Sequence, residues 1–108
     1  MADSPKAYFE ETIAKKLADR PEIAQKINSI YQFNITGDNG GHWTVDLTKP
    51  EVREGEDPEA KCTVTVKDED FMKIVSGKLN PQMAFMSGKL KIGGDMSLAM
   101  KLGELLKA

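Results

Sequence analysis

Apolar residues at the start of the chain recur every three or four positions, which is typical of helices. Ser4-Pro5 fits a capping residue followed by proline at the first helical position, and Pro21 ends one helix and opens the next. The sequence therefore predicts two consecutive helices, the first running to about Asp19. Their apolar stripes consist of Phe9, Ile13, Leu17, Ile23, Ile27 and Ile30.

From residue 31 apolar and polar residues alternate, which predicts strands with one covered face. The turn at residues 37–41 is rich in Gly and Asn, so it predicts a hairpin. Residues 48–61 are rich in Pro, Glu, Asp and Gly, and this composition predicts a solvated loop with a short edge strand around Val52. The covered face of the hairpin is predicted to carry Tyr31, Phe33, Ile35, Trp43, Val45 and Leu47, with Thr44 and Asp46 on the other face.

In the second half of the chain, segments with strand-like alternation and segments with helical spacing follow one another. Cys62 to Val66 alternate as a strand, Asp68 offers an N-cap for a helix with an apolar stripe, and Gly77 ends that helix. A short helical turn begins at Asn80-Pro81, and residues 89–92 form a strand. Asp95 caps a last helix, predicted over residues 96–107, whose polar stripe is narrow. This order predicts an α+β domain with helices packed on an antiparallel sheet.

Methionines are concentrated in this half, on segments predicted to face inward. Methionine is flexible and polarizable, so it suits a cavity that adapts to its ligand, and it equally suits an irregular core. The sequence leaves both interpretations open. The residues are Met72, Met83, Met86, Met96 and Met100.

The 108 residues predict a single domain, 1–108, and the net charge of −2 provides no basic field for nucleic acid. No stretch approaches the roughly 20 apolar residues of a membrane span, and no leader or peroxisomal ending is recognisable. A cytoplasmic location is therefore expected.

Candidate catalytic groups are few. His42 is the only histidine and is expected to be an exposed turn residue, and Cys62 is expected to be a small buried side chain. Acidic residues cluster in the solvated loop, so we expect no catalytic site, metal or cofactor. A small enzyme is disfavoured because no nucleophile, base and orienting group are placed together.

Residues 80–102, NPQMAFMSGKLKIGGDMSLAMKL, resemble the C-terminal signature of the sterol carrier protein 2 family. The blocks CTVTVKDEDFMKIVSGKLNP and YQFNITGDNGGHWTVDL resemble the family's strand-helix unit and first hairpin. The resemblance implies a five-stranded, mostly antiparallel sheet with helices packed on one face around an apolar tunnel. It also implies a sterol, fatty acid or fatty acyl-CoA ligand, and a free-standing domain of bacterial type.

The function expected from this resemblance is non-enzymatic lipid binding and transfer, with a lipid-presenting or lipid-sensing module for a separate enzyme as the alternative. Transient membrane contact is compatible with it, and no protein partner is indicated. Gln82 is nominated to contact the ligand head group or to order water at the tunnel mouth, with an ordinary helix-surface position as an equally weighted alternative. Candidate lining residues are Phe33, Ile35, Trp43, Val45, Phe71, Ile74, Val75, Met83, Phe85, Met86, Leu90, Ile92, Met96, Met100 and Leu105.

Overall fold

A mixed sheet and a set of short helices make up residues 4–106, the part of the chain that this computed structural model describes, apart from the side chain of Glu104. The helices are α1 (Pro5–Ala7), a π-helical stretch (Tyr8–Ile13), α2 (Ala14–Asp19), α3 (Pro21–Ile27), α4 (Asp68–Val75), α5 (Pro81–Met86), α6 (Met96–Met100) and α7 (Leu102–Leu106). The strands are β1 (Ile30–Thr36), β2 (Gly41–Asp46), β3 (Glu51–Glu54), β4 (Cys62–Lys67) and β5 (Leu90–Gly94).

The two N-terminal helices are confirmed. α1, the π-helical stretch and α2 run on without a break over residues 5–19, and the Ser4 side chain accepts a hydrogen bond from the Ala7 backbone N–H. Phe9, Ile13 and Leu17 are all buried, as the apolar spacing predicts. No helix of residues 4–106 has the length and apolar character needed to cross a membrane.

The sheet has the strand order β3-β2-β1-β4-β5. β1 pairs in parallel with β4, and the other neighbours are antiparallel. Phe33, at the centre of the sheet, lies opposite Trp43 on one side and Val64 on the other. The predicted α+β class, the hairpin and the short edge strand around Val52 are therefore confirmed.

Both faces of the hairpin are covered, which corrects the expectation of a single covered face. Gln32, Thr44 and Asp46 are buried on the face opposite the helices. The loop after β3 folds over them: the Thr44 hydroxyl donates to the Gly55 carbonyl (2.9 Å), and the Asp57 N–H donates to Oε1 of Gln32 (2.9 Å). Residues 48–61 are thus partly a cover for the sheet as well as a solvated loop.

Two helix boundaries differ from the sequence expectation. Asp68 is the first residue of α4, and its carboxylate accepts hydrogen bonds from the N–H groups of Asn39 (3.0 Å) and Glu69 (2.8 Å). The last helix is divided into α6 and α7 at Lys101, whose N–H bonds back three residues to Leu98. Such a tightened turn, followed closely by a glycine, interrupts an α-helix. The predicted end at residue 107 lies outside the described residues.

Candidate functional site

An apolar groove of about 470 Å³ lies between the end of α4, the start of α5 and α7. Cavities of several hundred Å³ with mostly apolar walls and a few polar groups are typical of small-molecule sites. The groove is therefore the candidate ligand site. It is lined by Ile74, Val75, Ser76, Gly77, Leu79, Asn80, Pro81, Gly103 and Leu106.

The connection from α4 to α5 shapes one wall of the groove. Gly77 takes a φ of +84°, a conformation that favours glycine, and so ends α4. The N–H groups of Lys78 and Leu79 both donate to the Lys73 carbonyl, at 2.8 and 3.0 Å. This turn half-buries Leu79 against the core and leaves Lys78 exposed at the rim. Asn80 then caps α5.

The opposite wall, α7, is fastened to the N-terminal helix by side-chain donors. The Tyr8 hydroxyl donates to the Leu106 carbonyl at 3.0 Å, and the Lys16 ammonium donates to the Leu105 carbonyl at 2.9 Å. These bonds satisfy carbonyls that the end of a helix leaves without intrahelical partners. Burial raises the pKa of Tyr8 to about 12, so its hydroxyl remains a donor at neutral pH.

An aromatic cluster lies behind α4. Phe71 precedes the groove residue Ile74 by about one turn, and its ring stacks on Phe9 with centroids 5.1 Å apart. Phe9 also stacks on Trp43 at 5.0 Å, and Tyr8 meets Phe71 edge to face at 5.5 Å. Ile74, in the groove lining, is therefore about one helical turn away from this aromatic cluster.

Among the residues predicted to contact lipid, Ile74 and Val75 line the groove. Ile92 is half-buried on the edge strand β5. Others are buried in the core but do not line the groove, so their contact with lipid stays a prediction. These are Phe33, Ile35, Trp43, Val45, Phe71, Leu90 and Leu105.

The expectation that the methionines of α5 and α6 face inward is wrong. Five large apolar side chains on these helices are between 41% and 87% exposed. The helices have six and five residues, and each buries a single side chain, Ala84 in α5 and Leu98 in α6, so their large apolar side chains project outward. Gln82 is also exposed on α5. The five exposed apolar residues are Met83, Phe85, Met86, Met96 and Met100.

The sequence prediction missed seven of the nine groove residues, namely Ser76, Gly77, Leu79, Asn80, Pro81, Gly103 and Leu106. Leu106 is adjacent to the predicted Leu105, and helical spacing places both against the core. Leu79 and Pro81 flank Asn80, where one helix has ended and another begins, so local pattern assigns them to a connection. Among these residues, only Leu106 could have been predicted from the sequence, because it shares the apolar helical spacing of Leu105.

The potentially reactive groups lie apart from the groove. Cys62 is fully buried, and burial, with the nearby Asp95 charge, raises the pKa of its thiol to about 11. His42 is exposed, as expected, but it belongs to β2 and not to the turn, and its Nδ1 lies 2.7 Å from Oδ1 of Asn34. Within residues 4–106, His, Cys, Asp and Glu form no cluster of three or more that could hold a metal ion.

Comparison with known families and proteins gives one consistent group of relatives. The family model described as the SCP-2 sterol transfer family matches residues 9–107. Sterol carrier protein 2 of Homo sapiens is 44% identical over 99 residues, which cover 86% of this chain and 18% of that protein. Hydroxysteroid dehydrogenase-like protein 2 of Rattus norvegicus is 42% identical over 111 residues, covering 94% of this chain and 21% of that protein. The chain thus spans about a fifth of the length of these relatives.

Solved structures agree with this grouping. The sterol carrier protein domain 2 of Helicoverpa armigera is 36% identical with a TM-score of 0.77, covering 92% of this chain and 82% of that one. Palmitated SCP2L2 from Aedes aegypti is 31% identical with a TM-score of 0.69, covering 91% and 94%. The α+β fold with a five-stranded sheet is shared with these neighbours.

Proposed function

Because this chain belongs to the SCP-2 sterol transfer family, we propose that it reversibly binds one single-chain lipid in the groove between α4, α5 and α7. The observation that carries the proposal is the apolar lining of this groove of about 470 Å³. Each methylene that leaves water contributes roughly 0.8 kcal/mol, so a long acyl chain offsets the ordering cost of binding. Release to an acceptor then gives lipid transfer.

We propose a fatty acid or a fatty acyl thioester as the ligand class in preference to a rigid sterol. The groove lies between the ends of short elements, and a flexible chain adapts to such a surface more easily than a fused ring system. The palmitated relative from Aedes aegypti, aligned over 91% of this chain, supports the same class. Lys78 at the rim and Gln82 beside Pro81 are the groups proposed to meet a polar head group.

The deeper path proposed for the acyl chain runs from Ile74 towards Phe71. Ile74 lines the groove, and Phe71 lies about one turn earlier on the same helix, in the aromatic cluster. A chain longer than the groove would reach Phe71 and Leu105 next, and it would need the cluster to repack. The tunnel expected from the sequence is proposed to form in this way, when ligand enters.

Binding without catalysis is the mode we propose. A thiolate nucleophile requires a lowered pKa, whereas the pKa of the buried Cys62 is raised to about 11. None of the described residues that line the groove carries an acidic or basic side chain, and His42, exposed on β2, is not among them. Palmitoyl-CoA incubated with the protein should therefore remain intact, and sustained hydrolysis would contradict this mode.

Filling the groove tests the proposal without damaging the fold. A Cβ added at Gly103 meets no heavy atom within 4 Å, and Gly103 lies in α7, where leucine is favoured over glycine by roughly 0.8 kcal/mol. Gly103→Leu should weaken palmitate binding at least tenfold in calorimetric titration of delipidated protein. Its melting temperature should stay the same or rise.

The matched control is Gly93→Leu. A Cβ at Gly93 likewise meets no heavy atom within 4 Å, but this residue is in β5 and does not line the groove. Gly93→Leu should bind palmitate with the affinity of the unsubstituted protein. Equal palmitate affinity in the Gly103→Leu and unsubstituted proteins, or no saturable binding by the latter, would rule out the groove as the site.

A further inference from the structure

The turn between β1 and β2 contains the dipeptide Asn39-Gly40, which does not line the groove. An asparagine side chain can be attacked by the backbone nitrogen of the residue that follows it, which closes a cyclic imide, a succinimide. A side chain on the following residue obstructs this attack, and proline has no backbone N–H with which to make it. Asn39 is therefore the asparagine with the least obstructed neighbour. The asparagines of the chain are Asn28, Asn34, Asn39 and Asn80, followed by Ser29, Ile35, Gly40 and Pro81.

The surroundings of these asparagines also favour reaction at Asn39. Asn39 is exposed in a turn, outside the two strands that the turn connects. The side-chain oxygen of Asn34 accepts a hydrogen bond within β1 at 3.2 Å, and that of Asn80 accepts one from a backbone N–H of α5 at 2.8 Å. Asn28 is exposed like Asn39, but a serine follows it. Asn28 therefore provides an internal comparison for the effect of the following glycine.

Packing explains why Gly40 is needed next to Asn39. A Cβ at position 40 would lie 2.1 Å from the carbonyl oxygen of Ile35, which belongs to the backbone of β1. The Gly40 N–H donates to the Gly37 carbonyl at 3.1 Å and closes the turn. Exposed turns open locally at a low cost in free energy, so this bond slows the attack without preventing it. The turn therefore retains the susceptible pair.

The backbone of Asn39 holds the same turn to α4. The Asn39 N–H donates to the Asp68 carboxylate at 3.0 Å, and Asp68 is only 7% exposed. Gly37 also packs closely on this carboxylate, because an added Cβ there would lie 2.4 Å from Oδ1 of Asp68. Asp68 is the first residue of α4. The turn and the start of this helix therefore form one packed unit.

From this arrangement we propose that Asn39-Gly40 is a site of spontaneous deamidation, and that its products detach the turn from Asp68. The Gly40 nitrogen forms a bond to the side-chain carbonyl carbon of Asn39, and the C–N bond of the side-chain amide breaks. The amide nitrogen leaves as ammonia, which carries away the proton of the Gly40 N–H. Water then opens the succinimide at either carbonyl, giving aspartate or isoaspartate, and no group is oxidised or reduced.

Both products weaken the contact with Asp68. Each places a new carboxylate in the turn that packs on the buried Asp68 carboxylate, and the two negative charges repel each other. Isoaspartate also routes the main chain through the former side chain, which adds a methylene between the N–H of residue 39 and Gly40. The bond to Asp68 and the close packing of Gly40 on Ile35 then no longer fit together. Isoaspartate should therefore disturb the turn more than aspartate does.

The site is tested by ageing the native protein in mildly alkaline buffer and following each asparagine by peptide mapping. Isoaspartate is detected by isoaspartyl methyltransferase, which methylates its free carboxylate. Asn39 should convert first, while Asn28 keeps its amide. Asn39→Gln should abolish the methylation signal, because the longer side chain disfavours ring closure, and the matched control Asn28→Gln should leave the signal unchanged. Native protein in which Asn39 converts no faster than Asn28, or only after unfolding in urea, would overturn the proposal.

The detachment from Asp68 is tested on the deamidated fraction, which ion exchange separates by its added negative charge. Its melting temperature should be lower by roughly 5 °C or more, because a hydrogen bond to a charged acceptor is lost. Asn39→Asp adds the charge without changing the main chain, so its melting temperature should fall less. Aged Asn39→Gln should melt like the fresh variant. Equal melting temperatures of the deamidated and parent proteins would overturn the detachment.

Discussion

The phenolic hydroxyl of Tyr31, in the central strand β1, donates a hydrogen bond of 2.5 Å to the backbone carbonyl of Leu98 in α6. Both residues are buried, and 67 positions separate them in the chain. Burial raises the pKa of Tyr31, and the Cys62 thiolate, once it forms at high pH, and the Asp95 carboxylate raise it further. This bond fastens the start of the C-terminal segment to the middle of the sheet, as Tyr8 fastens its end.

Removing the hydroxyl should destabilise the protein. Tyr31→Phe removes this donor, although the Leu98 carbonyl still accepts from the Lys101 N–H, so it should cost about 0.5–1.5 kcal/mol, and Tyr8→Phe should act similarly on Leu106. Urea unfolding followed by circular dichroism measures both. The double variant should deviate from additivity if the two tyrosines hold one cooperative segment. A change below about 0.3 kcal/mol in both single variants would show that neither bond contributes to stability.

Alkaline pH should weaken the same attachment. The pKa of Tyr8 is raised from 10.0 to about 12, so folding favours the neutral phenol. The contribution of the neutral Tyr8 phenol to the free energy of unfolding is fully present below pH 10.0, the pKa of tyrosine in the unfolded chain. This contribution is lost as the pH rises towards 12. Urea midpoints should therefore fall across this window, and they should fall less steeply in Tyr8→Phe. Identical slopes in the two proteins would contradict the role assigned to Tyr8.

Cys62 should be protected from thiol reagents in the folded protein. It is fully buried, and its pKa is raised to about 11, so neither access nor thiolate is available at pH 8. Ellman's reagent should react slowly with the native protein and quickly after unfolding in urea. Met100→Cys in a Cys62→Ala background provides the exposed control, which should react at once. A native Cys62 that reacts as fast as this control would disprove the burial.

The elements that could be predicted from sequence are those that local pattern determines. Alternation around the turn at residues 37–41 predicts β1 and β2, and Ser4 and Asp95 act as the predicted caps. Burial of Thr44 could not be predicted in this way, because its partner Gly55 arrives from a loop that the alternation does not describe.

The groove was harder to predict for a related physical reason. It forms where the ends of three elements meet, so Val75 and Gly103 become neighbours of one cavity only through tertiary packing. Helical period indicates which residues share a side of a helix, but it does not indicate whether a neighbour covers that side. Ile74 and Val75 were predicted because they belong to the apolar stripe of α4 in the sequence, and this helix does pack against the sheet.

The buried carboxylate of Asp46 should be important for stability. It accepts hydrogen bonds from the N–H (2.9 Å) and hydroxyl (2.5 Å) of Thr48 and from Arg53 (3.3 Å). Burial opposes its ionisation, but these bonds outweigh burial and lower the pKa of Asp46. Asp46→Asn should cost about 2–3 kcal/mol, whereas Asp38→Asn at an exposed turn should change stability by less than about 0.5 kcal/mol.

The pH dependence gives an independent check on Asp46. A lowered folded pKa means that its stabilising effect is present above the unfolded value of 3.8 and is lost as the pH falls below it. Urea midpoints of the unsubstituted protein should therefore decline below about pH 4, and those of Asp46→Asn should decline less. Parallel curves for the two proteins would mean that other carboxylates cause the acid sensitivity.

Substitutions at Leu98 and Met100 distinguish two arrangements of the C-terminal segment. One is the observed pair of short helices, and the other is the single buried helix expected from sequence. Met100 is 87% exposed at the end of α6, whereas Leu98 is 6% exposed and packs into the core. Met100→Asp should therefore change the free energy of unfolding by no more than about 0.5 kcal/mol. Leu98→Asp buries a charge without a partner, at a cost of several kcal/mol, and should leave the protein largely unfolded. Thermal melting of the two variants decides between the arrangements. Comparable losses in both would mean that Met100 is buried in solution, as a continuous helix with an inward methionine face requires.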